Sequence, residues 1–178
     1  MSNCTVKNME AEKEVWAEPR LFIDADSCPK PLRAIILKSV VKRNIRTVFV
    51  ADRSLPDVVQ VEKSSPLATM VVVEKGDDSA DDMLVTLAEG NEGALAVTRD
   101  VILADRLASL GLTVLDDRGG VYTKENVKER LSVRNMMSSL RDCNIYVEKT
   151  KPMSAKEIQL FANAFDRELT RVLQRKTV

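Results

Sequence analysis

The chain has 178 residues, of which 44% are hydrophobic, 30% charged and 4% aromatic, with zero formal net charge and a pI near 6.4. That length supports one domain with an aliphatic core, and the neutral balance excludes a global basic footprint, so any nucleic-acid contact has to be local. The absence of histidine excludes His-based triads and His-ligated zinc, and three scattered cysteines without a CxxC pair give neither a disulfide framework nor a zinc site.

Residues 1–19 are polar and aperiodic and read as a flexible extension with no apolar signal region, so the cytoplasm is the expected compartment. No run approaches the roughly 18 apolar residues of a membrane span. Leu21–Asp24 reads as a short strand, followed by a helix from Pro29 to about Asn44 with Leu32, Ile35, Ile36 and Val40 on one face. TVFVA, Thr47 to Ala51, is a second strand. Residues 53–67, with two prolines, read as a connection. ATMVVV, from Ala68, reads as a third strand buried on both faces.

Ser79–Glu89 reads as a helix, Ala94–Val97 as a strand, and Val101–Leu110 as a helix stopped by Gly111. Leu112–Leu115 is a fifth strand, and a long helix runs from Thr123 to about Arg141. Ser154 and Glu157 spell a capping box for a last helix reaching about Leu173. The alternation predicts a three-layer αβα domain, a mostly parallel sheet of about five strands covered by helices. Residues 20–147 form that domain, and 148–178 a linker and a helix that covers it or contacts a partner, which leaves a homo-oligomer open.

In such sheets ligands bind beyond the carboxyl ends of the strands. Acids gather there: Asp24 and Asp26 after the first strand, Asp77, Asp78, Asp81 and Asp82 after the third, Asp100 after the fourth, Asp116 and Asp117 before Arg118 after the fifth. At 100° per residue, Asp81 borders its helix's apolar face and can turn toward the sheet, whereas Asp82 faces water. Singly, Ser79, Asp81, Asp82 and Asp100 are explained as caps or first-turn acids. Asp24 is harder to dismiss, because it ends an apolar strand directly. Converging carboxylates repel one another without a cation, and an all-oxygen set suits Mg²⁺ or Mn²⁺. Thr98 either bonds an acid or a phosphate, or packs at the strand end. Arg130, Arg134 and Arg141 share a helix stripe, with Lys124 and Lys128 beside it. Cys28, at a helix start, is either a lowered-pKa thiol or, as we read it, a small residue packed beside Pro29.

Two enzyme families offer resemblances. FIDAD followed by GDDSAD resembles haloacid-dehalogenase-type phosphatases, in which Asp24 would attack phosphorus and Asp26 act as acid. Their threonine strand precedes the acidic metal motif, however, whereas here Gly76–Asp81 precedes Thr98. The order Asp24, Asp81, Asp100, with TRDVILA after the fourth strand, resembles PIN-like nuclease domains. DADSCP, GDDSADDML, TRDVILA, RGGVYT and LSVRNMMSSLR together resemble, in order, the YaiI/YqxD family of bacterial proteins. Ser27 stands where that family usually has Ala. The resemblance implies a PIN-like fold and a metal-dependent phosphodiesterase or nuclease, with RNA the favoured substrate. Asp24, Asp81 and Asp100 would bind metal with Asp78 in support, Asp26 would assist catalysis, and Thr98, Arg118 and Arg134 would contact substrate. A PIN-like domain can also persist as a non-catalytic binding module.

Overall fold

The computed structural model describes residues 19–76, 79–142 and 152–175. The N-terminal extension to residue 18, Asp77 and Asp78, most of the linker, and the side chains of Arg134 and 137–142 lie outside the described residues. The elements in order are β1 (Leu21–Asp24), α1 (Lys30–Arg43), β2 (Thr47–Ala51), α2 (Pro56–Ser64), β3 (Ala68–Val72) and α3 (Ser79–Ala88). There follow β4 (Leu95–Val97), α4 (Val101–Ser109), β5 (Thr113–Leu115), β6 (Val121–Tyr122), α5 (Val127–Asp142) and α6 (Ala155–Gln174).

The strands form one six-stranded sheet in the order β3-β2-β1-β4-β5-β6, parallel except for the β5–β6 pair. β1 therefore lies inside the sheet, and its two neighbours present their carboxyl ends beside its own. Alternate side chains feed two cores, as the period of two requires. Leu21, Ile23, Phe49 and Val97 join the core under α1, α2 and α6, while Phe22, Val48, Val50 and Ala96 join the core under α3 and α4. The αβα layering is as the sequence predicts.

Three elements differ from expectation. Residues 56–64 are helical, because Pro56 sits in the first turn, where its missing N–H costs no hydrogen bond. β3 is an edge strand with Val72 52% exposed, not a strand buried on both faces. Its run of valines reports β-propensity, which edge and central strands share. A sixth strand, β6, delays the start of the long helix from Thr123 to Val127.

The capping box at Ser154 and Glu157 is present, and α6 lies on the domain. Phe161 and Phe165 stack with ring centroids 5.7 Å apart and, with Leu169 and Val172, bury the helix's apolar face in the first core. Arg43 of α1 donates to Thr170 Oγ1 at 2.8 Å and also pairs with Asp166.

Candidate functional site

A cleft of about 290 Å³ opens at the carboxyl edge of the sheet, where β1, β2 and β4 end beside the start of α3. It is lined by Asp24, Asp26, Asp52, Asp81 and Asp100, together with Ser27 and Ser79. Four of the predicted acids thus share one cleft. Asp82 points away, and pairs with Arg106 of α4 at 2.6 Å.

Asp24 forms the floor and is 6% exposed. The Ser27 and Thr98 hydroxyls each donate to its Oδ2 at 2.6 Å, and the Ser27 N–H reaches Oδ1 at 3.4 Å. The same hydroxyls tie in the β4–α4 loop: Ser27 Oγ accepts from Arg99 N at 3.2 Å, and Thr98 Oγ1 from Asp100 N at 3.0 Å. Thr98, 2% exposed, is thereby committed to the acid and not presented to a substrate. Asp100 caps α4, its Oδ1 accepting from Ile102 N at 2.7 Å and Leu103 N at 3.4 Å. The capping role available to Asp100 on sequence grounds is real, and it takes one of its two oxygens.

Asp26 stands against Asp52, the residue that follows β2. Its Oδ2 accepts from Asp52 N at 2.6 Å. The Oδ1 atoms of Asp26 and Asp52 are both shut off from solvent, and no N–H or hydroxyl of the described residues donates to either. Burial, then the neighbouring Asp52 carboxylate and the hydrogen bond between the two carboxyls, push the Asp26 carboxyl above its ordinary value, against the pull of the Asp52 N–H and of Arg53. Arg53 lies 4.0 Å from Asp26 Oδ1. Asp52 is absent from the sequence reading, although it ends a strand as directly as Asp24 does. The strand-end rule that picks out the other acids, applied to TVFVA, finds it.

The loop that carries Asp26 is braced from beneath. Arg33 of α1 donates to the Cys28 carbonyl at 2.7 Å and to Asp57 of α2 at 2.9 and 3.3 Å. Cys28 is buried, and burial pushes its thiol up to about 12, which makes it a packing residue.

Arg118 is exposed at the rim after β5, its N–H held by Asp116 Oδ1 at 2.8 Å. The RGGVYT stretch builds a turn around Asp116, which also accepts from Gly120 N at 2.7 Å and from the Tyr122 hydroxyl at 3.0 Å. A Cβ on Gly120 would stand 2.4 Å from Asp116 Oδ2, and Gly119, at φ +85°, would place one 3.0 Å from the Leu160 carbonyl of α6. Gly119 lets the turn meet α6, and Gly120 leaves room for Asp116 within it. Arg130 of the predicted basic stripe lies over the Tyr122 ring, 5.8 Å from its centroid.

Whether the site suits a divalent ion turns on its free oxygens. Among the described residues, no three His, Cys, Asp or Glu side chains stand close enough together to hold one. The Asp26 and Asp52 Oδ1 atoms, which no N–H or hydroxyl reaches, would suit Mg²⁺, which commonly takes one or two carboxylates and retains several waters, once the closed pair opens to the cleft. Asp78 lies outside the described residues.

A family model described as "Uncharacterized BCR, YaiI/YqxD family" matches residues 22–171. The chain belongs to the YaiI/YqxD family. It is 43% identical over 157 residues to a UPF0178 protein of Myxococcus xanthus, covering 87% of this chain and 97% of that one. A UPF0178 protein of Pseudomonas fluorescens (strain SBW25) is 41% identical over 155 residues, covering 87% and 98%. One from Treponema pallidum is 38% identical over 154 residues, covering 86% and 83%. No solved structure matches the chain at a significant level.

Proposed function

We propose that this protein is a divalent-cation-dependent phosphodiesterase, a nuclease of PIN-like type acting in the cytoplasm with RNA as the favoured substrate. The observation that carries the reading is the convergence of Asp24, Asp26, Asp52, Asp81 and Asp100 on one cleft at the carboxyl edge of a parallel sheet, with the Asp26 and Asp52 Oδ1 atoms buried and reached by no N–H or hydroxyl. Such an arrangement is costly in an uncompensated state. The order of Asp24, Asp81 and Asp100 along the chain is that of the PIN-like resemblance.

Asp26 and Asp52 would hold the Mg²⁺ or Mn²⁺, with Asp81 and Asp100 completing the acidic wall. When bound, the ion supplies an activated water and charge compensation at a phosphodiester. The chain's own residues do the positioning. Ser27 and Thr98 fix the Asp24 carboxylate, Asp24 sets the negative potential of the floor, and Arg118, exposed after β5, would be a phosphate contact outside the cleft.

The phosphatase alternative requires Asp24 to attack phosphorus. Its 6% exposure and the two hydroxyls on Oδ2 make it a poor attacking group. The test is a Mn²⁺-dependent cleavage screen on single-stranded and structured RNA, DNA and p-nitrophenyl phosphate, with Asp24→Asn as control. We expect diester cleavage by the wild type and loss in the variant. Turnover of the monoester alone, or no turnover of any substrate, overturns the reading.

A further inference from the structure

One basic residue follows each parallel strand that flanks β1. Lys75 lies three residues beyond β3, Arg53 two beyond β2, Arg99 two beyond β4 and Arg118 three beyond β5. All four are exposed. The sheet order β3-β2-β1-β4-β5 therefore sets them in a line along the carboxyl edge, two on each side of the strand that ends in Asp24. With neighbouring strands ~4.8 Å apart, the line spans roughly 19 Å. The four stand among the acids of that edge and are the charges there that can meet phosphates.

We propose that Lys75, Arg53, Arg99 and Arg118 bind the phosphates of one polynucleotide strand laid across the sheet edge, at right angles to the β-strands, with its middle phosphate over the acidic cleft. This rests on the reading of that cleft as a phosphodiester site. The row is too long for one phosphate group and matches a polyanion with several.

Its relief argues for a single strand. The Arg53 and Arg99 side chains are 64% and 48% exposed at the rim, whereas Asp24 on the floor is 6% exposed. A flexible strand can sag to a recessed centre between two raised cations, and a stiff duplex cannot. The two arginines are also free to turn to such a ligand. Arg53 is held only at 4.0 Å from Asp26, and Arg99 pairs with Asp117 at 3.0 Å while remaining half in solvent.

The test is fluorescence anisotropy of labelled single-stranded RNA and DNA oligonucleotides against a salt series, in chelator so that nothing is cut. Wild type, Lys75→Ala, Arg53→Ala, Arg99→Ala and Arg118→Ala are compared, with Lys38→Ala on the outside of α1 as control. Each row variant is expected to bind about three- to tenfold more weakly and to lower the slope of log K against log salt by about 0.7, the single-strand value per phosphate contact. Lys38→Ala should keep the wild-type slope. Equal slopes in wild type and row variants, no binding at low salt, or a duplex bound as tightly as the single strand would overturn the proposal. The two readings separate cleanly. Cleavage with unaffected row variants removes the row and keeps the phosphodiesterase. Row-dependent binding without cleavage by any metal keeps the row and removes the phosphodiesterase.

Discussion

Asp52 is the residue on which the electrostatics of the cleft turn. Its carboxylate stands against Asp26, whose own carboxyl is pushed up first by burial and then by this neighbour. A carboxyl with a raised folded-state pKa destabilises the native state above that pKa, where it must ionise in place. At neutral pH in chelator, Asp52→Asn should therefore raise the melting temperature, by a few degrees at most given the partial exposure of Asp26. The same variant should lose the stabilisation that Mn²⁺ gives the wild type. Differential scanning fluorimetry with and without Mn²⁺ reads both. A variant that melts lower in chelator and still gains from Mn²⁺ would show that the pair is structural.

Cys28 gives a second test at the same scale. With the thiol buried and pushed up to about 12, the thiolate is scarce at ordinary pH. Iodoacetamide at pH 8 should leave Cys28 unmodified in the native protein and label it in denaturant, as followed by mass spectrometry of its peptide. Rapid native labelling would restore a reactive role. The strand-end acids were legible because a carboxylate directly after an apolar strand has few structural reasons to be there. What each oxygen does was not legible. The Ser27 and Thr98 bonds to Asp24 join residues 74 positions apart or cross a tight turn, and no local pattern encodes them.

At the scale of elements, the β5–β6 turn decides how α6 is held. Gly119 has a left-handed backbone against the Leu160 carbonyl, and Gly120 leaves room for an Asp116 carboxylate that accepts three hydrogen bonds. Gly119→Ala should destabilise the domain by about 1–3 kcal/mol, because it adds a strained φ and pushes on α6. Chemical denaturation measures it, and a change within about 0.5 kcal/mol would contradict the close approach.

Tyr122 donates to the same Asp116, and burial, reinforced by that carboxylate, pushes its phenol up to about 12. The folded state then keeps a proton that the unfolded chain releases near pH 10, so stability falls as pH rises from 10 toward 12. Tyrosinate absorbance should show a late-ionising component that Tyr122→Phe removes. The glycine pair was visible in RGGVYT as a motif, but its reason was not, since α6 meets it from some 40 residues downstream in sequence. α2 escaped the sequence reading for a related reason. Two prolines look like breakers until Pro56 is seen to occupy a first turn, and only the Arg33–Asp57 bridge shows what that helix supports.

For the whole molecule, the layered α/β architecture followed from alternating apolar strands and amphipathic helices, and it alone carries the acids to one edge. Strand order did not follow from the sequence, and it explains the remaining surprises. β3 is half exposed because it lies at the sheet's margin, and Asp52 belongs to the cleft because β2 adjoins β1. The same order lines up the bases that flank β1.

The central claim is that the Asp26–Asp52 pair holds a divalent ion. The most direct measurement is Mn²⁺ binding by electron paramagnetic resonance, with wild type compared to Asp26→Asn/Asp52→Asn. The account predicts saturable binding of Mn²⁺ by the wild type, competed by Mg²⁺, and its loss in the double variant with the fold intact. Equal binding by both proteins, or none by either, would contradict it.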